Sequence, residues 1–313
     1  MKIIIKPLAE ADLTVADQIF RQSFGTFLGI PDPSNFRGDA ALIVPRWHSD
    51  PEAALGAYDG ETLVGSCFTT RWGSFGFLGP VSVKPDLWNQ GVAKLLVEQA
   101  TAMFDRWGIR QAALFTFPQS AKHIGLYQKF GFWPRYLTPV MMKPVHQPQS
   151  KTPAKRFSTL SHAERGHALS HCAELTGKII PGLDVRNEIE AIEEQRIGET
   201  ILIDDAHGLA GFAVCHIGAG SEAGGGKLYT KFGAVRLGDN APQRFTQLLD
   251  ACEVLAAETG CREFHAGINT ARHDAYRLML DRGFRTVLEG VAMLRPNDAG
   301  YNRPDCFVID DLR

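Results

Sequence analysis

The stretch FLGPVSVKPDLWNQGVAKLL, residues 77–96, decides how this chain reads. Phe77, Val81 and Val83 are strand formers interrupted by Gly79 and Pro80, so the segment predicts a strand carrying a bulge or a splayed, unpaired portion. Pro85 ends that strand. After Trp88 come Asn89, Gln90, Gly91, Val92 and Ala93. The small Gly91 and Ala93 let backbone amides approach a ligand with little side chain in the way. A helix that starts there presents unpaired N–H groups and the positive end of its dipole, which together suit a phosphate or pyrophosphate. Lys94 adds a mobile charge beside them. One glycine and one alanine make a weak motif, because strand–turn–helix units also occur in α/β domains that bind nothing at that turn.

The downstream sequence sharpens the reading. SAKHIGLYQKFGF, Ser120 to Phe132, opens a second helix and carries Leu126, Tyr127, Lys129, Gly131 and Phe132. In order and spacing these residues, with Val83, Pro85, Gly91 and Ala93, resemble the GCN5-related N-acetyltransferases (GNAT superfamily). The pattern of that family is V-x-P, a Q/R-x-x-G-x-G/A pyrophosphate loop, then N-x-x-A-x-x-L-Y-x-K-x-G-F. Three positions depart from it: Trp88 replaces Gln or Arg, Ser120 replaces Asn, and His123 replaces Ala beside the expected cofactor.

The resemblance implies a mixed α/β (α+β) sheet and acetyl-CoA as cosubstrate. It implies that the backbone of Val81, Ser82 and Val83 pairs with the pantetheine arm, that Asn89, Gln90, Gly91, Val92, Ala93 and Lys94 hold the pyrophosphate, and that Ser120 offers a further hydrogen bond. The implied reaction is direct acyl transfer to a small-molecule or peptide amine. In it a backbone amide near Val81 polarises the thioester carbonyl, and Tyr127, a phenol protonated at neutral pH, donates to the leaving thiolate. Alternatively Tyr127 is a packed core tyrosine. The second functional class is a non-catalytic acyl-CoA-binding sensor or assembly module, which His123 keeps open.

No base is legible. Ser74 to Val83 offers no carboxylate, and among ten histidines only His48 and His123 fall near the expected cleft. Either could titrate near neutrality, but neither has a visible orienting partner, so both also read as structural. Trp72 and Trp133 read either as cleft walls or as core.

Composition bounds the rest. With 313 residues, 44% apolar, the chain has the length of about two domains. A net charge of −2 without a basic run argues against nucleic acid. No apolar stretch reaches the roughly 18 residues of a membrane span, and KIIIKPL after Met1 reads as a strand rather than a signal peptide. Cys67, Cys172, Cys215, Cys252, Cys261 and Cys306 form no C-x-x-C pair, no cluster has metal-ligand spacing, and reduced thiols in a cytoplasmic protein are expected.

In chain order the sequence predicts a strand over 2–8, a helix from about Ala11 stopped by Gly25, and an irregular, proline-rich segment from Thr26 to Ser49. That segment reads as a lid over the acceptor or as a loop packed on the core. Strands follow at 54–58 and 62–71, joined by Asp59-Gly60, and another at 112–117, which a right-handed crossover should place parallel to the strand around Val83.

The second half repeats the first. Gly108 and Gly260, Leu126 and Leu278, Phe132 and Phe284, Met141 and Met293, and Pro144 and Pro296 are each separated by 152 residues. The expected domains are therefore 1–145, a cofactor-binding unit, a linker over 146–155, and 156–313, a degenerate copy. In copy two the loop reads Gly238-Asp239-Asn240-Ala241-Pro242, with an acid where a pyrophosphate would sit, and Met279 takes the place of Tyr127. Copy two is expected to support the first or to wall its acceptor pocket. Its additional segment, Cys306 to Asp310, is expected either to pair into the first domain's sheet or to form a hairpin in its own.

Overall fold

The computed structural model describes residues 2–146 and 153–312. Its elements run β1 (Ile3–Pro7), α1 (Leu13–Phe27), α2 (Ile43–Ser49), β2 (Ala54–Asp59), β3 (Thr62–Trp72), β4 (Phe75–Val83), α3 (Val92–Arg106), β5 (Gln111–Thr116), α4 (Ala121–Gln128), β6 (Trp133–Leu137) and β7 (Val140–Pro144). Then come β8 (Lys155–Arg156), α5 (His162–Ile179), α6 (Arg186–Gln195), β9 (Gly198–Asp205), β10 (Gly208–Gly218), β11 (Gly224–Val235), α7 (Ala241–Glu258), β12 (Glu263–Gly267), α8 (His273–Asp281), β13 (Arg285–Leu288), β14 (Val291–Arg295) and β15 (Val308–Ile309). Most of the expected linker lies outside the described residues.

The local rules hold where the sequence is strongly patterned. Val92, Leu96, Val97, Ala100 and Phe104 of α3 are buried on one stripe, the 3.6-residue period of a helix laid on a sheet. Gly60, at φ +61°, closes the tight turn between β2 and β3, where Asp59 pairs with Thr62. Helix α1 instead runs two residues past Gly25, to Phe27. Gly25 does not stop the helix. A Cβ there would lie 2.6 Å from the backbone of Pro33, so glycine lets the returning chain pack against the helix.

Two mixed sheets result, and each borrows a strand from the other half of the chain. The first has the order β1-β2-β3-β4-β5-β14-β6, and the second β13-β7-β12-β11-β10-β9-β8. Thus β14 lies between β5 and β6, while β7 lies between β12 and β13. The exchanged strands carry the matched pair Met141 and Met293, both fully buried. For Cys306 to Asp310 the sequence leaves open either exchange into the first domain's sheet or pairing within its own. It is β7 and β14 that cross over, and β15 pairs antiparallel with β11 of its own sheet, Gly233 opposite Ile309 and Ala234 opposite Val308.

Where the halves meet, Trp72, Phe75 and Phe77 pack with Phe212, Phe232 and Tyr301 in one apolar cluster. Trp72 is core, its indole N–H donating to Glu188, whereas Trp133 is exposed on the edge strand β6. A buried charge chain runs through the same seam. Arg46 of α2 donates to both carboxylate oxygens of Glu222 and to the Gly79 carbonyl at 2.7 Å, and Lys231 bridges Glu222 at 2.9 Å and Glu188 at 3.1 Å. Burial would raise the Glu222 carboxyl, but Arg46 and Lys231 outweigh it and hold the group well below the usual carboxylate range. The expected lid is therefore fastened to the second domain: the Ala41 N–H also donates to the Ser221 carbonyl, and Asp39 accepts from the Gly225 N–H.

Breaking a buried ion pair on one side leaves an unpaired charge, at a cost of about 3–5 kcal/mol. Glu222→Gln should show such a loss in denaturant unfolding. Because the folded carboxyl is depressed below its ordinary 4.5, its contribution is present above that pH and is lost as pH falls toward the folded value. The wild-type melting temperature should drop with acid in that window, and the drop should shrink in Glu222→Gln.

Candidate functional site

Strands β4 and β5 pair in parallel from Phe75 with Gln111 to Leu78 with Leu114, and their pairing stops there. On the opposite edge β4 stays bonded to β3, with a register shift between Cys67 and Thr69 where Gly79 and Pro80 are accommodated. Beyond the shift, β5 continues to Thr116 against β14 while β4 turns away. The edge of β4 from Gly79 to Val83 therefore meets no strand on that side; the Gly79 carbonyl is taken by Arg46 and the Val83 carbonyl by the Trp88 indole, and the stretch between them faces a gap. Backbone N–H and C=O groups at such an edge call for a partner.

The gap opens into a cleft of about 620 Å³. Of the residues expected to hold the cofactor, Val81, Val83, Asn89, Gly91, Val92, Ala93 and Lys94 line it, together with the expected acid Tyr127. Three others do not. Ser82 is fully buried opposite Ser66, consistent with strand alternation that turns it from the neighbours of Val81 and Val83. Gln90 is exposed and donates to the Asp86 carbonyl, and Ser120 caps α4 by accepting from the His123 N–H at 3.4 Å.

At the mouth of the cleft Gly91 caps α3 in the left-handed region, φ +86°, and Asn89 shares it at φ +65°. That turn lifts the amides of Val92, Ala93 and Lys94 into the first helical turn, where no intrahelical carbonyl can accept them. Trp88 occupies its unusual position for a reason of packing, since its indole N–H donates to the Val83 carbonyl at 2.9 Å and pins the loop to the strand. Lys94, Lys122 and Lys129 line the cleft without any carboxylate among the lining residues. A protein with a net charge of −2 thus presents a locally cationic slot.

Tyr127 is 9% exposed, and among the described residues its hydroxyl has no hydrogen-bond partner. Burial, then the nearby Cys67, raises its phenol above the ordinary value of 10. His123 packs against the Phe27 ring, centroids 4.8 Å apart, and burial together with Lys122 lowers it below 6.5. His48 is exposed and stands outside the cleft.

Sequence reasoning missed the opposite wall. Ser23, Phe24 and Phe27 at the end of α1 line the cleft with Phe115 and Phe117 from the end of β5. Phe24 did carry a signal, as a member of the α1 apolar period, but period alone reads as core. All lining residues come from the first half of the chain.

Copy two lacks the counterpart. Its helix α7 opens Ala241-Pro242, and Pro242 has no N–H to offer an anion.

Comparison with known proteins agrees with this geometry. Residues 17–132 match the model of the acetyltransferase (GNAT) family. No curated protein sequence matches the chain significantly. Among solved structures, a candidate acetyltransferase from Pyrococcus horikoshii superposes with a TM-score of 0.70 at 17% identity, over 97% of this chain and 93% of its own. A GCN5-related N-acetyltransferase from Sphaerobacter thermophilus gives 0.63 at 14%, over 94% and 95%. A tandem GNAT protein from the clavulanic acid biosynthesis pathway gives 0.59 at 15%, over 94% and 98%.

The strained turn is directly testable. In Gly91→Ala the added Cβ meets no neighbour but must adopt the left-handed backbone, which costs about 1–2 kcal/mol. Denaturant unfolding should show that loss, whereas Gly125→Ala, inside α4 with open space around it, should be neutral or stabilising.

Proposed function

We propose that the first domain of this chain, whose residues 17–132 match the acetyltransferase (GNAT) family, transfers an acetyl group from acetyl-CoA directly to an amine. The observation that carries this reading is the stretch of β4 around Val81 that pairs with no strand beyond Leu78, lying between the α3 N-terminus and Tyr127.

The residues present fit the cosubstrate. An extended arm would run along the open edge at Val81 and Val83, the free amides of Val92 to Lys94 would meet the pyrophosphate, and Lys94, Lys122 and Lys129 would balance phosphate charge. When bound, acetyl-CoA supplies the activated acyl thioester. Tyr127 then serves as the acid: held above its ordinary value of 10, its phenol is protonated at neutral pH, and it has no competing hydrogen bond among the described residues.

His123 is the base in this reading. Lowered below 6.5, it is a neutral imidazole at pH 7 and lines the same cleft. The acceptor approaches past Phe24, Phe27 and Phe117, a wall that favours the uncharged form of an amine by withholding water. With no carboxylate lining the cleft, nothing holds a second ammonium, and the acceptor is a monoamine on an apolar or aromatic body rather than a polyamine.

Thermal melting with and without acetyl-CoA tests the cosubstrate. Wild type should be stabilised by mass action, by about 2.7 kcal/mol at a hundredfold excess over Kd, and Gly91→Glu should abolish that gain. If neither responds, the reading fails. Tyr127→Phe should lower kcat about 100-fold with acetyl-CoA affinity unchanged, the loss expected of a missing general acid. In the wild type kcat/KM should rise as pH climbs through a value below 6.5, where His123 loses its proton, and then level off. His123→Asn should remove that limb. Binding of acetyl-CoA with no amine-dependent thiol release across an arylalkylamine and polyamine panel would instead favour an acyl-CoA-binding sensor.

A further inference from the structure

The 152-residue correspondence extends through both sheets. Phe75 opposite Gln111 in one sheet corresponds to Lys227 opposite Glu263 in the other, and Leu78 opposite Leu114 to Thr230 opposite Ala266. The pairing of β11 with β12 ends at that residue, as that of β4 with β5 does. The other edge gives the same alignment independently: Val83 lies opposite Gly65, and Val235 opposite the matching Gly211. Gly233 and Ala234 therefore stand where Val81 and Ser82 stand in the first domain. The second domain has the same diverging strands and the same open edge.

That edge is filled. We propose that the second domain is a receptor for an extended peptide strand, and that its ligand is the chain's own C-terminus, seated in the slot equivalent to the cofactor slot of the first domain. Strand β15 lies antiparallel on Gly233 and Ala234. From the far side of the gap the Gly267 carbonyl, equivalent to that of Phe115, accepts from the Asp310 N–H at 3.0 Å. The tail thus bridges both diverging strands, as an added strand does.

The slot is built for a peptide. At the position of Ser120 stands Arg272, 1% exposed, whose guanidinium donates to the backbone carbonyls of Val308 at 2.5 Å and Asp310 at 2.8 Å. Such contacts read backbone and accept any extended chain. Side chains supply the selectivity: the Tyr301 hydroxyl donates to Asp310, and the Tyr229 hydroxyl donates to Asp311 at 2.9 Å. Glycine makes the room, for a Cβ on Gly267 would lie 2.2 Å from that of Asp311, and one on Gly233 would already touch Ile309 at 3.4 Å. Val308, Ile309, Asp310 and Asp311 are all at most 1% exposed. The ligand class is a strand of two aliphatic residues followed by two acids. This assignment is independent of whether the first slot binds acetyl-CoA.

The test uses residues 1–313 as one chain. In Ile309→Lys the tail is weakened while its receptor, β11, β12 and Arg272, is untouched. A fluorescein-labelled peptide of residues 302–313 should bind this variant saturably by anisotropy, should not bind wild type, and should lose at least tenfold in affinity when Arg272→Ala is added. The Asp310 amide should exchange with deuterium at least 100-fold faster in Ile309→Lys. A folded Ile309→Lys chain that binds no peptide overturns the proposal. Should that variant fail to fold, wild type alone decides. Exchange at Asp310 as slow as in the core of β11 supports a seated ligand, and exchange at loop rates overturns it.

Discussion

A parallel strand pair that parts midway leaves backbone donors and acceptors facing a gap, and those groups must be satisfied by something. This one constraint occurs twice here. In the first domain the open edge of β4 meets a cleft with a cationic mouth, a helix N-terminus and a buried phenol. In the second, the equivalent edge of β11 meets β15. What distinguishes the copies is thus the occupant that each is shaped for, since the sheet geometry behind them is the same. A soluble ligand needs an entrance and an anion cradle. A tethered strand needs neither, and Pro242 and Asp239 can stand where a cradle would have to be.

Strand exchange ties the two halves together. With β7 inside the second sheet and β14 inside the first, neither sheet can be completed by its own half of the chain. Residue 231 makes the point in detail. It is the equivalent of Gly79, the residue at the bulge of β4, but it is a lysine that bridges Glu188 and Glu222. Where copy one bends its strand at the edge of a cleft, copy two anchors the seam.

Much of this was legible in the sequence because it rests on local chemistry. The left-handed turn at Gly91, the helix it caps, the tight turn at Gly60 and the repeat itself are each written in residue type and spacing. The cleft residues Val81, Gly91, Ala93 and Tyr127 followed from one short pattern. What was not legible depends on partners far apart in the chain. Gly25 reads as a helix stop and is in fact a packing glycine for Pro33. Ser82 falls within the expected strand, yet alternation turns its side chain from the slot. The aromatic wall of Phe24, Phe27 and Phe117 joins an α1 terminus to a β5 terminus, and no local period marks such a meeting. Exchange by β7 and β14 was equally hidden, since either strand has the same apolar pattern in whichever sheet it is placed.

The buried chain Glu188–Lys231–Glu222–Arg46–Gly79 gives the second domain a physical role at the first domain's site. Arg46 holds the carbonyl of Gly79 at the point where β4 leaves β5, and that carbonyl belongs to the residue whose position sets where the open edge begins. A guanidinium with two oxygens of Glu222 on one side has little freedom to shift, so the bulge is held from outside its own domain. Desolvating four charges in one seam is expensive, and apolar residues of similar volume would often be as stable. Their directional bonds fix the geometry of α2, the Glu222 loop and the bulge relative to one another, which an apolar cluster would leave free to slide. The second domain is thus an abutment for the strand edge that bounds the first domain's cleft.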